Sequence, residues 1–112
     1  MTTSWATLTA FQRDLLRELA AHDSPKGLTL LDTLEAEYIG LSHARVYQNL
    51  DVLIEADLVT KHEVDGRTNA YELTEAGRTQ LTTATRRQAT AIDLEAVESK
   101  LPNPEPSGGD RQ

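Results

Sequence analysis

The chain has 112 residues, a length that supports a single domain, because two halves would each be too small to bury a stabilising core. It contains no cysteine, which excludes disulfides, thiol redox sensing, iron-sulfur clusters and thiolate zinc sites. Eighteen acidic residues against eleven basic ones give a formal charge of −7, which argues against a polyanionic partner unless basic groups are gathered locally.

The basic residues include only three lysines, Lys26, Lys61 and Lys100, and Thr and Ala are abundant. This composition resembles proteins of organisms that keep molar salt in their cells. There charge repulsion is short-ranged, because the Debye length falls to about 3 Å at 1 M salt. An acidic total thus weakens the case for nucleic-acid binding without closing it. No apolar run approaches the roughly 18 to 20 residues of a membrane span, and "MTTSWATLTAF" has neither the basic start nor the apolar middle of a secretory signal. A soluble, cytoplasmic protein is the expectation.

Residues 1–9 read as an N-terminal segment. Thr9 followed by Gln12 has capping-box spacing, and Phe11, Leu15, Leu16, Leu19 and Ala20 then form one stripe, so a first helix is expected from Ala10 to His22. Ser24 as cap and Pro25 at the first helical position start a second helix carrying Leu28, Leu31, Leu34 and Tyr38, stopping at Gly40. Ser42 caps a third helix that buries Val46, Leu50, Leu53 and Ile54 and ends near Ala56.

The hydrophobic period then changes. Asp65-Gly66 between two β-prone runs predicts a hairpin with a two-residue turn, both residues at positive φ, placing Leu58 opposite Leu73 and Thr60 opposite Tyr71. Thr74 caps a fourth helix from Glu75 to about Lys100, which would span roughly 39 Å at 1.5 Å per residue, more than so small a body can cover. Residues 101–112, "LPNPEPSGGDRQ", read as a disordered tail.

Three helices followed by a two-stranded antiparallel hairpin give a mainly α fold, a winged helix-turn-helix over residues 10–74, with a long C-terminal helix over 75–100. With the third helix's apolar residues inward, Arg45, Gln48, Asn49 and Val52 fall at i, i+3, i+4 and i+7 on the other side. Arg can read guanine, Gln and Asn can read adenine, and a small apolar group can touch a thymine methyl. No carboxylate precedes Asp51 on this helix. Ser42 and His43 stand at the helix N-terminus, where amides and the helix dipole favour a phosphate; His43 equally suits packing at the helix start. Tyr47 lies at the boundary of the two faces, its ring toward the core and its hydroxyl within reach of a phosphate. In the wing, Lys61, Arg67, Thr68 and Asn69 suit the DNA backbone or minor groove, although Glu63 and Asp65 stand among them.

From Ala10 to Leu81 the chain resembles the PadR-like family of winged-helix transcription regulators. "SPKGLTLLDTLE" is similar to its second helix, "LSHARVYQNLDVLIEADLV" to its recognition helix, and "GRTNAYELTEAG" to its wing and the start of its last helix. "LTAFQRDLL" resembles members from halophilic archaea, in keeping with the acidity. Gln48 follows Tyr47 where the family often has Pro, and the C-terminal helix is short, as in small members with one such helix. The resemblance implies a homodimer with the first and last helices crossing the twofold axis. In this chain Trp5, Phe11, Leu81, Ala84, Ala91, Ile92 and Leu94 would form that interface, with packing of Trp5 onto its own subunit as the alternative. The thin apolar stripe of the last helix agrees, since a lone helix so weakly apolar has little reason to stay formed.

Nothing points to catalysis. His22, His43 and His62 lack metal-ligand spacing, and GxSxG, P-loop and HExxH motifs are absent, so no metal or cofactor is expected. The favoured reading is a sequence-specific DNA-binding regulator acting as a homodimer on a pseudo-palindromic promoter site. Cations would bridge its acidic surface and the phosphates at high salt. The rival is a winged-helix module that docks a protein, such as transcription machinery or an antitoxin-like partner, without reading bases. The rival gains if Asp51, Glu55, Glu63 and Asp65 crowd the outer surface of the third helix.

Overall fold

The computed structural model describes residues 3–92. A 3₁₀ helix (Trp5–Thr7) leads into α1 (Ala10–Ala21), α2 (Gly27–Leu34), α3 (His43–Glu55), β1 (Val59–Asp65), β2 (Thr68–Leu73) and α4 (Glu75–Ile92). This is a winged helix-turn-helix with an added C-terminal helix. One core is shared by α1, α2, α3 and the base of the hairpin; Leu15, Leu16, Leu30, Leu50, Leu53 and Leu58 are its fully buried leucines. Each contributes about 2 kcal/mol by leaving water.

The capping box of α1 is present. The Gln12 N–H donates to Thr9 Oγ1 at 3.1 Å and the Thr9 N–H to Gln12 Oε1 at 3.0 Å. Ser42 caps α3 by accepting the Arg45 N–H at 3.1 Å, and Thr74 caps α4 by accepting the Gly77 N–H at 3.0 Å.

The second helix departs from the expectation at both ends. Pro25 is not its first residue, because the Pro25 carbonyl accepts the Tyr71 N–H at 2.9 Å and Lys26 bridges Ala70, which holds this stretch extended beside β2. Ser24 is not its cap. It sits in left-handed backbone (φ +48°), and its hydroxyl donates to the Glu72 carboxylate. At the other end α2 stops at Leu34 rather than near Tyr38, so that the Tyr38 ring can meet Phe11 edge-on at 4.9 Å while its hydroxyl donates to Asp14. Gly40, at φ +77°, turns the chain toward buried Leu41.

The hairpin register is shifted by one residue from the predicted one. Val59 pairs with Leu73, Thr60 with Glu72 and Lys61 with Tyr71. Leu58 is not free for the ladder, because it terminates α3. Its N–H donates to the Leu53 carbonyl and its own carbonyl accepts the Thr74 N–H, each at 3.0 Å. With Asp57 in left-handed backbone (φ +65°) and its N–H on Ile54, this is a Schellman ending with Asp in place of the usual glycine. The turn residues are Gly66 and Arg67 instead of Asp65-Gly66, and only Gly66 has positive φ. An irregularity between Glu63 and Asp65 leaves Val64 unpaired and 51% exposed at the wing tip.

α4 starts by pressing its backbone on this junction. A Cβ at Gly77 would collide with the Leu58 carbonyl. Ala76, Gln80, Leu81 and Ala84 are half-buried, and Ala91 and Ile92 are exposed. The expected extension to Lys100 and the tail over 101–112 lie outside the described residues.

Alanine normally gains about 1 kcal/mol over glycine inside a helix. Gly77→Ala should reverse that sign and destabilise by about 1 to 3 kcal/mol through overpacking, read as a lower urea midpoint with unchanged slope.

Candidate nucleic-acid interface

α3 turns Val46, Leu50 and Leu53 fully inward. Ala44 and Gln48 lie on its outer side with Asp51 and Glu55 one and two turns further on, all four exposed. The first two turns thus present a surface without carboxylates, and the acids begin at Asp51. His43 is exposed at the helix start, its ring edge-on to Tyr47 at 6.4 Å.

The predicted outward set of Arg45, Gln48, Asn49 and Val52 is divided by the structure. Gln48 is exposed, and among the described residues its amide makes no hydrogen bond. Asn49 is half-buried and engaged at both ends. Its Nδ2 donates to the Arg45 carbonyl at 2.8 Å, and its Oδ1 accepts from Gln12 Nε2 at 3.0 Å. Arg45 is exposed, yet its guanidinium lies over the Phe11 ring at 4.3 Å and near Tyr38 at 5.3 Å. Val52 turns aside to a shallow groove shared with Thr9, Gln12 and Glu55. The apolar face of α3 is centred nearer Val46 than the spacing suggested, so the flank of Arg45, Asn49 and Val52 faces α1.

Tyr47 is half-buried as expected for a boundary residue, with its ring over Gly27, where a Cβ would overlap the tyrosine. Across from it stand the wing residues Arg67, exposed, and Thr68 and Asn69, half-buried. Lys61 is exposed on β1 opposite Tyr71. Lys26, Gly27 and Tyr71 line the same groove, of about 540 Å³, although sequence reasoning did not single them out. The available signal was Lys26-Gly27, a basic and a small residue immediately before an apolar helix.

The residues expected at a dimer interface also separate. Phe11 is 4% exposed and belongs to the core beneath Arg45 and Tyr38, so it is not available to a second chain. Trp5 is half-buried under the guanidinium groups of Arg13 and Arg17 at 5.4 and 5.7 Å, and its carbonyl accepts from Arg13. A groove of about 440 Å³ runs between Trp5 and Ala84. Leu81 packs against the core from α4. Leu94 lies outside the described residues.

Among the described residues Asp14 pairs with Arg17 within α1, and a Glu18 carboxylate oxygen lies 3.3 Å from His22 Nε2 at its end. No group of three or more potential metal ligands forms among the described residues, and no helix there is long and apolar enough to cross a membrane.

The model of the transcriptional regulator PadR-like family matches residues 15–83, more than half of the chain. The chain belongs to the PadR-like family of transcriptional regulators. Among solved structures it is similar to hsRosR-S1, described as a complex structure, with 37% identity and a TM-score of 0.73 over 84% of this chain and 88% of that one. H. salinarum RosR grown from NaBr matches at 36% identity and a TM-score of 0.72, over 83% and 89%. The adhesin competence repressor AdcR from Streptococcus pyogenes shares the fold alone, at 20% identity and a TM-score of 0.67 over 86% and 68%. No curated protein matches the chain. The family so matched is one of transcriptional regulators.

The Tyr38 hydroxyl has its pKa raised above the ordinary 10.0, first by its bond to Asp14, then by burial and the Asp14 charge. A raised folded-state pKa means that the stabilisation is complete below pH 10 and is lost as pH rises through the folded value. Denaturation midpoints between pH 8 and 11 should therefore fall more steeply for the wild type than for Tyr38→Phe, which starts lower and stays flatter.

Proposed function

We propose that this PadR-like chain is a sequence-specific DNA-binding transcriptional regulator acting as a homodimer on a pseudo-palindromic promoter site. The observation that carries the reading is local. In a chain of charge −7, the first two turns of α3 expose Ser42, His43, Ala44 and Gln48 with no carboxylate among them. Residues 10–74 are the DNA-binding unit, and the helix beginning at Glu75 is the dimerisation element.

Gln48 is the principal base reader in this reading, since its amide is exposed and can make a donor and acceptor pair with adenine. Ala44 stands one turn before it and suits a thymine methyl. Ser42 and His43 take a phosphate at the helix start. Arg45 reaches a base only by leaving the rings of Phe11 and Tyr38, whereas Asn49 holds α3 to α1. Arg67, Thr68, Asn69 and Lys61 serve the backbone beside the groove. The apolar flank of α4, with exposed Ala91 and Ile92, and the groove beside Trp5 are the surfaces for the second chain. Such a dimer sets its half-sites about 34 Å apart. Cations held between the surface acids and the phosphates would make binding tolerate, or require, high salt. A protein-docking role is favoured instead by the exposed acids Asp51, Glu55, Glu63 and Asp65, which flank the reading surface.

Selection of bound genomic fragments at molar salt tests the reading. A recovered palindrome supports it, and fragments with no shared sequence sink it in favour of the protein-docking role. On the selected site, Gln48→Ala should relax preference at one base pair per half-site by about 1 to 3 kcal/mol, while Arg67→Ala should weaken all sequences alike.

A further inference from the structure

Among the described residues Gln12 is the buried polar side chain beside an otherwise apolar core, 9% exposed. Burying an amide costs free energy unless its donor and its acceptor find partners. Here both do. Gln12 Oε1 accepts the Thr9 N–H at 3.0 Å, Gln12 Nε2 donates to Asn49 Oδ1 at 3.0 Å, and Asn49 Nδ2 donates to the Arg45 carbonyl at 2.8 Å. The chain of bonds therefore starts on a backbone N–H at the α1 cap and ends on a backbone carbonyl of α3. Because both ends have fixed polarity, neither amide can turn over without setting donor against donor or acceptor against acceptor.

Gln12 to Asn49 is the one hydrogen bond between side chains of α1 and α3 among the described residues. Val46, Leu50 and Leu53 otherwise hold α3 in the core, and apolar contact is non-directional. A hydrogen bond, by contrast, weakens steeply off its axis. The polar link thus selects one rotation of α3 among those that the apolar side chains accept. Asn49 directly follows Gln48, which is exposed on the outer side of the helix. A turn of about 10° carries an atom about 6 Å from the helix axis through about 1 Å. That exceeds the misplacement of roughly 0.5 Å that a binding constellation tolerates.

We propose that Gln12 is a positioning residue for base recognition: acting through Asn49, it sets the rotation at which the outer face of α3 meets the base edges. The inference rests on the DNA-binding reading and deepens it, by placing a determinant of sequence preference on α1, in a buried side chain that itself reaches no base. Preference should respond to this link, while contacts to the sugar-phosphate backbone, which carry no sequence information, should not.

Gln12→Glu separates the two duties of the residue. A carboxylate there still accepts the Thr9 N–H and suits the positive end of the helix dipole, but it turns an acceptor toward Asn49 Oδ1. The measurement is the ratio of affinities for a selected duplex and a scrambled one, at pH 8 and fixed molar KCl. In Gln12→Glu the ratio should fall about tenfold, with affinity for the scrambled duplex at the wild-type value. Asn49→Ala leaves the α1 cap intact and should lower the ratio similarly. The double variant should be no worse than either single one, because both break the same link. A merely structural role would instead weaken both duplexes alike through the folded fraction, or give losses that add. Should Gln12→Glu fail to fold, Asn49→Ala carries the test. A wild-type ratio in either folded single variant, equal weakening on both duplexes, or additive losses in the double variant overturns the inference while leaving the DNA reading intact. A wild type that binds neither duplex, or both equally, overturns both.

Discussion

The hydrogen bond from Gln12 to Asn49 decides how α3 is presented. Gln12 is buried, and its two amide ends do separate work, one closing the N-terminus of α1 and the other holding the side of α3. The rotation of α3 about its own axis is thereby set by a polar contact as well as by the packing of Val46, Leu50 and Leu53. Arg45 reinforces the same orientation by lying on Phe11 and Tyr38. Turning α3 to free Asn49 would break a part-buried pair and leave two amide groups unsatisfied, so the flank facing α1 stays where it is.

A second set of close approaches fixes the wing and the last helix to that frame. Leu58 uses its N–H to end α3 and its carbonyl to start α4, and Gly77 has no side chain because that carbonyl occupies the space. On the opposite side Gly27 lets Tyr47 lie on the start of α2, while Pro25 and Lys26 attach that start to β2. Recognition helix, wing and helix start are thus packed together around one groove. The pattern of charge follows the same division. The acids of α3 begin only where the helix has passed the surface formed by its first two turns, which is how a chain with a large negative total can present a region that does not repel phosphate.

α4 differs from the other helices in what holds it. Its first two turns rest on the core through Ala76, Gly77 and Leu81, and its later turns expose Ala91 and Ile92. Helical propensity alone is a weak reason for such a segment to persist in water. The proposed dimer supplies contacts for these turns, and Trp5, pinned by two arginines beside the helix, gives that surface a firm edge.

Local sequence determined the elements that depend on neighbours within a few residues. The Thr9/Gln12 box, the caps at Ser42 and Thr74, the apolar periods of α1 and α3 and the hairpin itself were all legible, because capping and amphipathicity are short-range effects. The family was legible as well, from the block around Tyr47. Tertiary contacts decided the rest. The start of α2 moved to Gly27 because Pro25 and Lys26 are held by β2, the hairpin slipped by one residue because Leu58 was already engaged at both its backbone groups, and Phe11 is closed to a second chain because Tyr38 and Arg45 cover it. Which polar residues of α3 face outward could not be read from spacing, since a helical period gives the angles between side chains and not the direction of the neighbour that buries them. That direction came from α1, through a glutamine whose capping role was visible in the sequence and whose grip on Asn49, 37 positions away, was not.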